Sequence, residues 1–135
     1  MLARRFPRSV ASLPALVAFV REFFAAHRLD VEEAFGVDLV VEELFTNMVR
    51  HARGGGPEIE LALEEEEGLV TVRLCDEGAE PWNPEEAPLP RLNRAPEERR
   101  PGGLGLHLVR RLTRDLHFEH DRGVTVVTAL MEIGH

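Results

Sequence analysis

The stretch Glu98-Arg99-Arg100-Pro101-Gly102-Gly103-Leu104-Gly105-Leu106-His107-Leu108-Val109-Arg110-Arg111-Leu112 carries the reading of this chain. Leu104, Leu106, Leu108, Val109 and Leu112 give an apolar helical pattern from Gly103 to about Arg114. Glycines at the mouth of a helix expose backbone N–H groups, and the helix N-terminus carries partial positive charge. Together they form a cradle for phosphate. The spacing is not that of the dinucleotide fingerprint. No strand directly precedes it, and the third glycine of G-x-G-x-x-G would fall on Leu106 or Leu108. A glycine hinge is the plain alternative for these residues taken alone.

Upstream, residues 77–101 hold six prolines and no regular apolar period. An irregular segment of that length inside a small domain predicts a functional lid, placed here at 77–102. Downstream, Leu116–His120 and Val124–Ile133 read as strands around Arg122-Gly123. Further upstream, Ile59, Leu61 and Leu63, then Val70, Val72 and Leu74, alternate with polar neighbours. They predict a hairpin with a solvated tip of glutamates at 64–67. Residues 2–7 predict a first strand. Ser12 and Pro14 open a helix running to about His27. Asp30 and Glu33 form a capping-box pattern before a helix over Val31–Ala52. A break is expected near Gly36, and Gly54-Gly55-Gly56-Pro57 is the stop. The order β, α, α, β, β, lid, α, β, β predicts an α+β fold. It is a two-layer α/β sandwich, with a mostly antiparallel mixed sheet and helices on one face. The whole of 1–135 is expected to form one domain.

Composition narrows the chemistry. The chain has 135 residues, 44% hydrophobic and 30% charged, with a net charge of −8. Direct nucleic-acid binding is not expected from that charge. All 16 cationic residues are Arg, which excludes P-loop enzymes, protein kinases of the usual type and Schiff-base catalysis, since each needs a Lys. No apolar run reaches membrane-spanning length, and no signal-like h-region follows Arg4-Arg5. A cytoplasmic location is expected, and the lone Cys75 fits a reducing compartment.

Two further constellations stand out. Glu43 and Asn47 lie four apart on one helix face. A carboxylate there can orient or deprotonate a hydroxyl, and a carboxamide oxygen suits Mg²⁺. Asp76-Glu77-Gly78 ends a strand. An ionised Asp accepts hydrogen bonds, as from an exocyclic amine, and Gly78 lets a planar base approach the backbone. Each alone is also an ordinary helix-edge pair or strand-end turn. His117 and His120 point to opposite faces of a strand and make a poor metal pair. Cys75 reads as a buried strand thiol. The apolar face of the Ser12–His27 helix reads as core or dimer surface.

In their joint order, these motifs resemble the GHKL ATPase superfamily, with its Bergerat ATP-binding fold. The stretches VVEELFTNMVRHA, DEGAEPWNP and ERRPGGLGLHLVRRL are similar to those of bacterial anti-sigma-factor serine/threonine kinases. The resemblance covers about residues 5–133. It implies Glu43 as general base and Asn47 as Mg²⁺ ligand. It implies Asp76 as the adenine-reading carboxylate with Gly78 beside it, and Gly103 and Gly105 as the glycines that hold phosphate. GVTVV resembles the family's last strand and points to Thr125. His51 sits four residues after Asn47, as is common there. Arg99 and Arg100 precede the cradle, within reach of a γ-phosphate or solvated. Trp82-Asn83 stand where the family often has Phe-Asp, and the segment before Pro84 is one residue longer.

The resemblance implies an ATP- and Mg²⁺-dependent protein kinase of partner switching. Its substrate would be a serine of a STAS-domain anti-sigma antagonist, with a sigma factor as a second partner and a homodimer as the assembly. A non-catalytic, nucleotide-responsive binding module is the alternative. A plain ATPase is a third reading, disfavoured by the absence of a second domain.

Overall fold

The computed structural model describes residues 1–51, 54–78, 80 and 103–133. The lid expected at 77–102 therefore lies almost wholly outside the described residues, as do Arg99, Arg100, Trp82 and Asn83.

Strand β1 spans Leu2–Pro7. Ser9 accepts from the Ala11 amide and starts a 3₁₀ turn, Val10–Ser12. Helix α1 follows over Leu13–Ala26, with Pro14 in its first turn. Ser12 precedes the helix as expected, yet its hydroxyl donates to the Pro7 carbonyl at 2.7 Å instead of capping. That bond ties the helix start to the end of β1. Asp30 caps a second 3₁₀ turn, Val31–Glu33, by accepting from the Glu32 amide. Helix α2 then runs unbroken over Ala34–His51. The break expected at Gly36 does not occur. A helical glycine costs only about 1 kcal/mol against Ala, less than the packing of the surrounding turns.

Strands β2 (Glu58–Glu66) and β3 (Leu69–Glu77) form the expected hairpin. Glu67 and Gly68 turn it with φ of 52° and 83°, the pair of positive values that matches strand twist in a two-residue loop. Helix α3 spans Gly103–Leu112, β4 Asp115–Asp121 and β5 Val124–Glu132. The sheet order is β1-β2-β3-β5-β4. Among the described residues every pairing is antiparallel, where a mixed sheet was expected.

The helices cover one face of this sheet, giving the expected α+β two-layer architecture. Leu16, Phe19, Val20, Phe23 and Phe24 of α1 are buried, as are Val37, Val40, Val41, Leu44, Phe45 and Met48 of α2. They meet Ile59, Leu61 and Leu63 of β2 and Val70, Val72 and Leu74 of β3. Strand alternation places Asp76 and Thr125 on this same covered face. Arg21 of α1 grips Asp38 of α2 through two bonds of 2.7 and 3.2 Å, fixing the helices against each other. Phe19 packs edge-on to Phe6 with ring centroids 5.6 Å apart, and the Arg4 guanidinium sits 4.9 Å from its centroid. Phe19→Ala is expected to cost about 3–5 kcal/mol in chemical denaturation, because it empties the α1–β1 contact. A loss below about 1 kcal/mol would contradict that packing.

Candidate functional site

Helix α2 supplies the first part of the site. Asn47 is 2% exposed, and its amide nitrogen donates to the Glu43 carbonyl at 2.8 Å. That bond occupies the nitrogen and leaves the carboxamide oxygen as the end a cation would use. Glu43 is half-buried, and burial pushes its carboxyl above the usual value of 4.5. Arg50 opposes that shift and Glu42 adds to it. Glu42 is raised as well, by burial and by Asp38.

The Gly-rich stretch comes to Glu43 through packing of α3 on α2. A Cβ placed on Gly105 would run into the Glu43 carboxylate. The missing side chain at Gly105 therefore lets the Glu43 carboxylate lie directly against the α3 backbone. Glu43 and Gly105 line a cleft between the two helices, walled by Leu39, Leu108, Val109 and Leu112. The first turn of α3 also brings backbone amides that lack intrahelical acceptors. Gly103 is the first residue of that turn, and Gly102 lies outside the described residues. Because Glu43 is flexible at its tip, Gly105→Ala is expected to leave the thermal midpoint within about 2 °C. It displaces the carboxylate, so any chemistry this group performs at the cleft should fall by about 10². Unchanged chemistry in that variant would contradict the placement.

The second part forms at the end of β3. Asp76 is fully buried, and its Oδ1 accepts from Arg8 Nη2. Its Oδ2 is buried and has no hydrogen-bond partner among the described residues. A buried acceptor left open is costly, so this oxygen is free to take a donor. Gly78 follows with φ of 80°, a left-handed conformation that disfavours side chains. Its amide donates to the Gly123 carbonyl at 2.6 Å, and its carbonyl accepts from Gly55 at 3.0 Å. Three glycine loops thus meet beside Asp76.

Thr125 stands directly opposite Asp76 in the β3–β5 register and is 2% exposed. Its hydroxyl is 2.8 Å from His120 Nδ1, in a hydrogen bond. His120 is in turn opposite Thr125 on β4. His120, Thr125 and Asp76 therefore form one row across the sheet. The two histidines of β4 do point apart, since His117 pairs at 3.1 Å with exposed Glu119. Among the described residues no group of three His, Cys, Asp or Glu is arranged to hold a metal ion. Cys75 is half-buried, and burial, reinforced by Glu60, Glu77 and Asp76, pushes its thiol upward. A protonated thiol is a poor nucleophile.

The structure brings Glu43 and Gly105 together with Asn47 one turn along α2, and Asp76, Gly78 and Thr125 together at the end of β3. The sequence reading names these residues but neither Arg8 nor the link of His120 to Thr125. Arg8 reaches Asp76 from 68 positions away, and only the fold reveals the contact. His120 entered that reading only as half of a metal pair. Its link to Thr125 follows from a register that alternation alone does not fix. His51 ends α2, and its side chain lies outside the described residues.

Comparison with known proteins agrees with this fold. A family model described as "Histidine kinase-like ATPase domain" matches residues 6–131. A "Serine/threonine-protein kinase BtrW" of Bordetella bronchiseptica is 32% identical over 91 residues, covering 66% of this chain. The chain spans only 63% of that relative's length. Among solved structures, the SiaB–SiaC complex of Pseudomonas aeruginosa matches 97% of this chain and 89% of its own, with TM-score 0.63 and 22% identity. The structure of the RsbU and RsbW domains of Rv1364c from Mycobacterium tuberculosis matches all of this chain and 33% of its own. There the TM-score is 0.62 and the identity 16%. At these identities the structural matches speak for the fold.

Proposed function

The chain belongs to the histidine kinase-like ATPase domain family, and on that premise we propose that it is an ATP-dependent serine/threonine protein kinase of partner-switching regulation. The observation that carries the proposal is the pairing of Glu43 with the glycine cradle, Gly105 lying directly against its carboxylate. A pure binding module has no use for a half-buried carboxylate at the mouth of a phosphate cradle.

The residues present fit the nucleotide. Asp76 Oδ2 lacks a donor that an adenine amine would supply. Gly78 opens the backbone beside it, and Thr125 lines the same face. Gly103 and Gly105 stand at the amides that would hold phosphate. Asn47 offers the carboxamide oxygen that would help hold Mg²⁺, a cation that prefers hard oxygen ligands. When bound, Mg-ATP supplies the phosphoryl group and the charge neutralisation.

The chain's own residues do the rest. Asp76 fixes the base end, the α3 amides fix the phosphate end, and Glu43 orients the acceptor hydroxyl and takes its proton at the carboxylate. Such transfer depends mainly on positioning and charge stabilisation. The acceptor is proposed to be a serine on a STAS-domain anti-sigma antagonist, with a sigma factor as a second partner and a homodimer as the working assembly. The relative named as a serine/threonine-protein kinase supports the kinase part of this reading. Among the described residues no helix is long and apolar enough to cross a membrane, and a cytoplasmic site of action is proposed.

The test uses γ-labelled ATP, the purified chain and STAS-domain proteins from the same genome. Label on one serine of one such protein is the expected result. Tight ATP binding that alters partner affinity, with no label on any partner, would replace the kinase with a nucleotide-responsive binding module.

A further inference from the structure

We propose that Arg8 is the positioning residue that sets base selectivity at the nucleotide site, by holding one Asp76 oxygen and leaving the other to accept from an exocyclic amine. This inference rests on the nucleotide reading above.

Arg8 follows the end of β1, and its own amide donates to the Pro57 carbonyl at 2.8 Å. Its guanidinium then bonds three separate elements. Nε donates to the Gly56 carbonyl at 2.8 Å, Nη1 to the Met48 carbonyl at 3.4 Å and Nη2 to Asp76 Oδ1. The Arg8 side chain is 15% exposed and that of Asp76 1%. One planar fork therefore joins the end of α2, the Gly54–Gly56 loop and the end of β3.

Guanidinium offers donors only, and an ionised carboxylate offers acceptors only. The fork compensates the buried charge of Asp76 and removes Oδ1 from further use. Oδ2 remains as a buried acceptor with no partner among the described residues. A ring presenting an amine satisfies that oxygen. A ring presenting a carbonyl at the same place sets acceptor against acceptor. The site should therefore take adenine over hypoxanthine.

The glycine run at 54–56 belongs to the same device. Stopping α2 needs one glycine, yet Gly55 (φ 85°) has a further reason to lack a side chain. A Cβ there would strike the Arg8 guanidinium. Gly55 also donates to the Gly78 carbonyl, so the loop bearing Arg8's acceptor borders the proposed base pocket. Lysine cannot reproduce the arrangement, because a single ammonium does not span three acceptors in a plane.

The test measures binding of ATP and inosine triphosphate, each with Mg²⁺, by calorimetry on the full chain. The wild-type chain should prefer ATP by at least about tenfold, the loss expected for an unmade buried hydrogen bond. Arg8→Lys keeps the charge and is expected to melt cooperatively. Its ATP affinity should fall by about tenfold while inosine triphosphate stays within about threefold, so the preference collapses. Gly55→Ala, which pushes on the fork with Asp76 intact, should collapse it likewise. A merely structural Arg8 would weaken both nucleotides equally and keep the ratio, which overturns the proposal. Equal binding of the two by the wild-type chain overturns it too, while leaving the kinase reading standing. Binding of neither would instead remove the nucleotide site itself.

Discussion

Glu43→Gln is expected to lower the proposed phosphoryl transfer to a partner serine by about 10²–10⁴. ATP affinity should stay within about threefold, since the lost interaction acts on the acceptor hydroxyl rather than on bound nucleotide. The isosteric amide keeps the contact with Gly105 but cannot take a proton. The parent rate should also fall on the acid side as Glu43 is protonated. Burial raises its carboxyl above 4.5, so that acid limb sits above the ordinary carboxylate range, and the variant should lack it. The effect on stability has the opposite sign. A carboxyl raised in the folded state contributes most below 4.5, and that contribution is lost as pH rises through the raised value. At neutral pH the Gln variant should therefore melt no lower than its parent. Equal loss of transfer and ATP binding would remove Glu43 from the role of base.

Asp76→Asn should abolish measurable ATP binding, a loss of at least about 10². Two effects act together. The amide can present a donor where Oδ2 accepted, setting donor against the adenine amine. The Arg8 guanidinium also loses its charge partner in a nearly closed site. Removing one member of a buried pair typically costs about 3–5 kcal/mol, and the neutral oxygen left for Arg8 places this variant toward the lower end. Thermal melting and calorimetry separate the two effects. A variant that stays folded at the assay temperature yet binds ATP as tightly as wild type would show that Asp76 does not read the base.

Much of this was legible because it is local. Alternation at Ile59, Leu61 and Leu63 and at Val70, Val72 and Leu74 fixed the hairpin. The Glu67-Gly68 turn needed only its positive φ values to close it. The Glu43–Asn47 spacing placed both on one helix face, and the glycine run placed Gly105 at the start of α3. Gly36 misled, because a glycine inside a helix weakens it without ending it. Ser12 was recognised as a helix start, but its hydroxyl found the Pro7 carbonyl across the β1–α1 corner. What the sequence could not show was contact between distant segments. Arg8 and Asp76 meet only after β1 has paired with β2 and β2 with β3. One signal was available, a glycine run longer than a helix stop requires. His120 was hidden likewise, since its bond to Thr125 depends on the β4–β5 register.

Glu43, Asn47, Asp76 and the cradle at Gly105 are proposed to form one Mg-ATP site. Calorimetric titration of the purified chain with ATP, with and without Mg²⁺, is the decisive experiment. Saturable binding near the micromolar range, on the order of −8 kcal/mol and strengthened by Mg²⁺, is the expected result. Asn47→Ala should remove the Mg²⁺ dependence. Absence of binding under both conditions would contradict the proposed site.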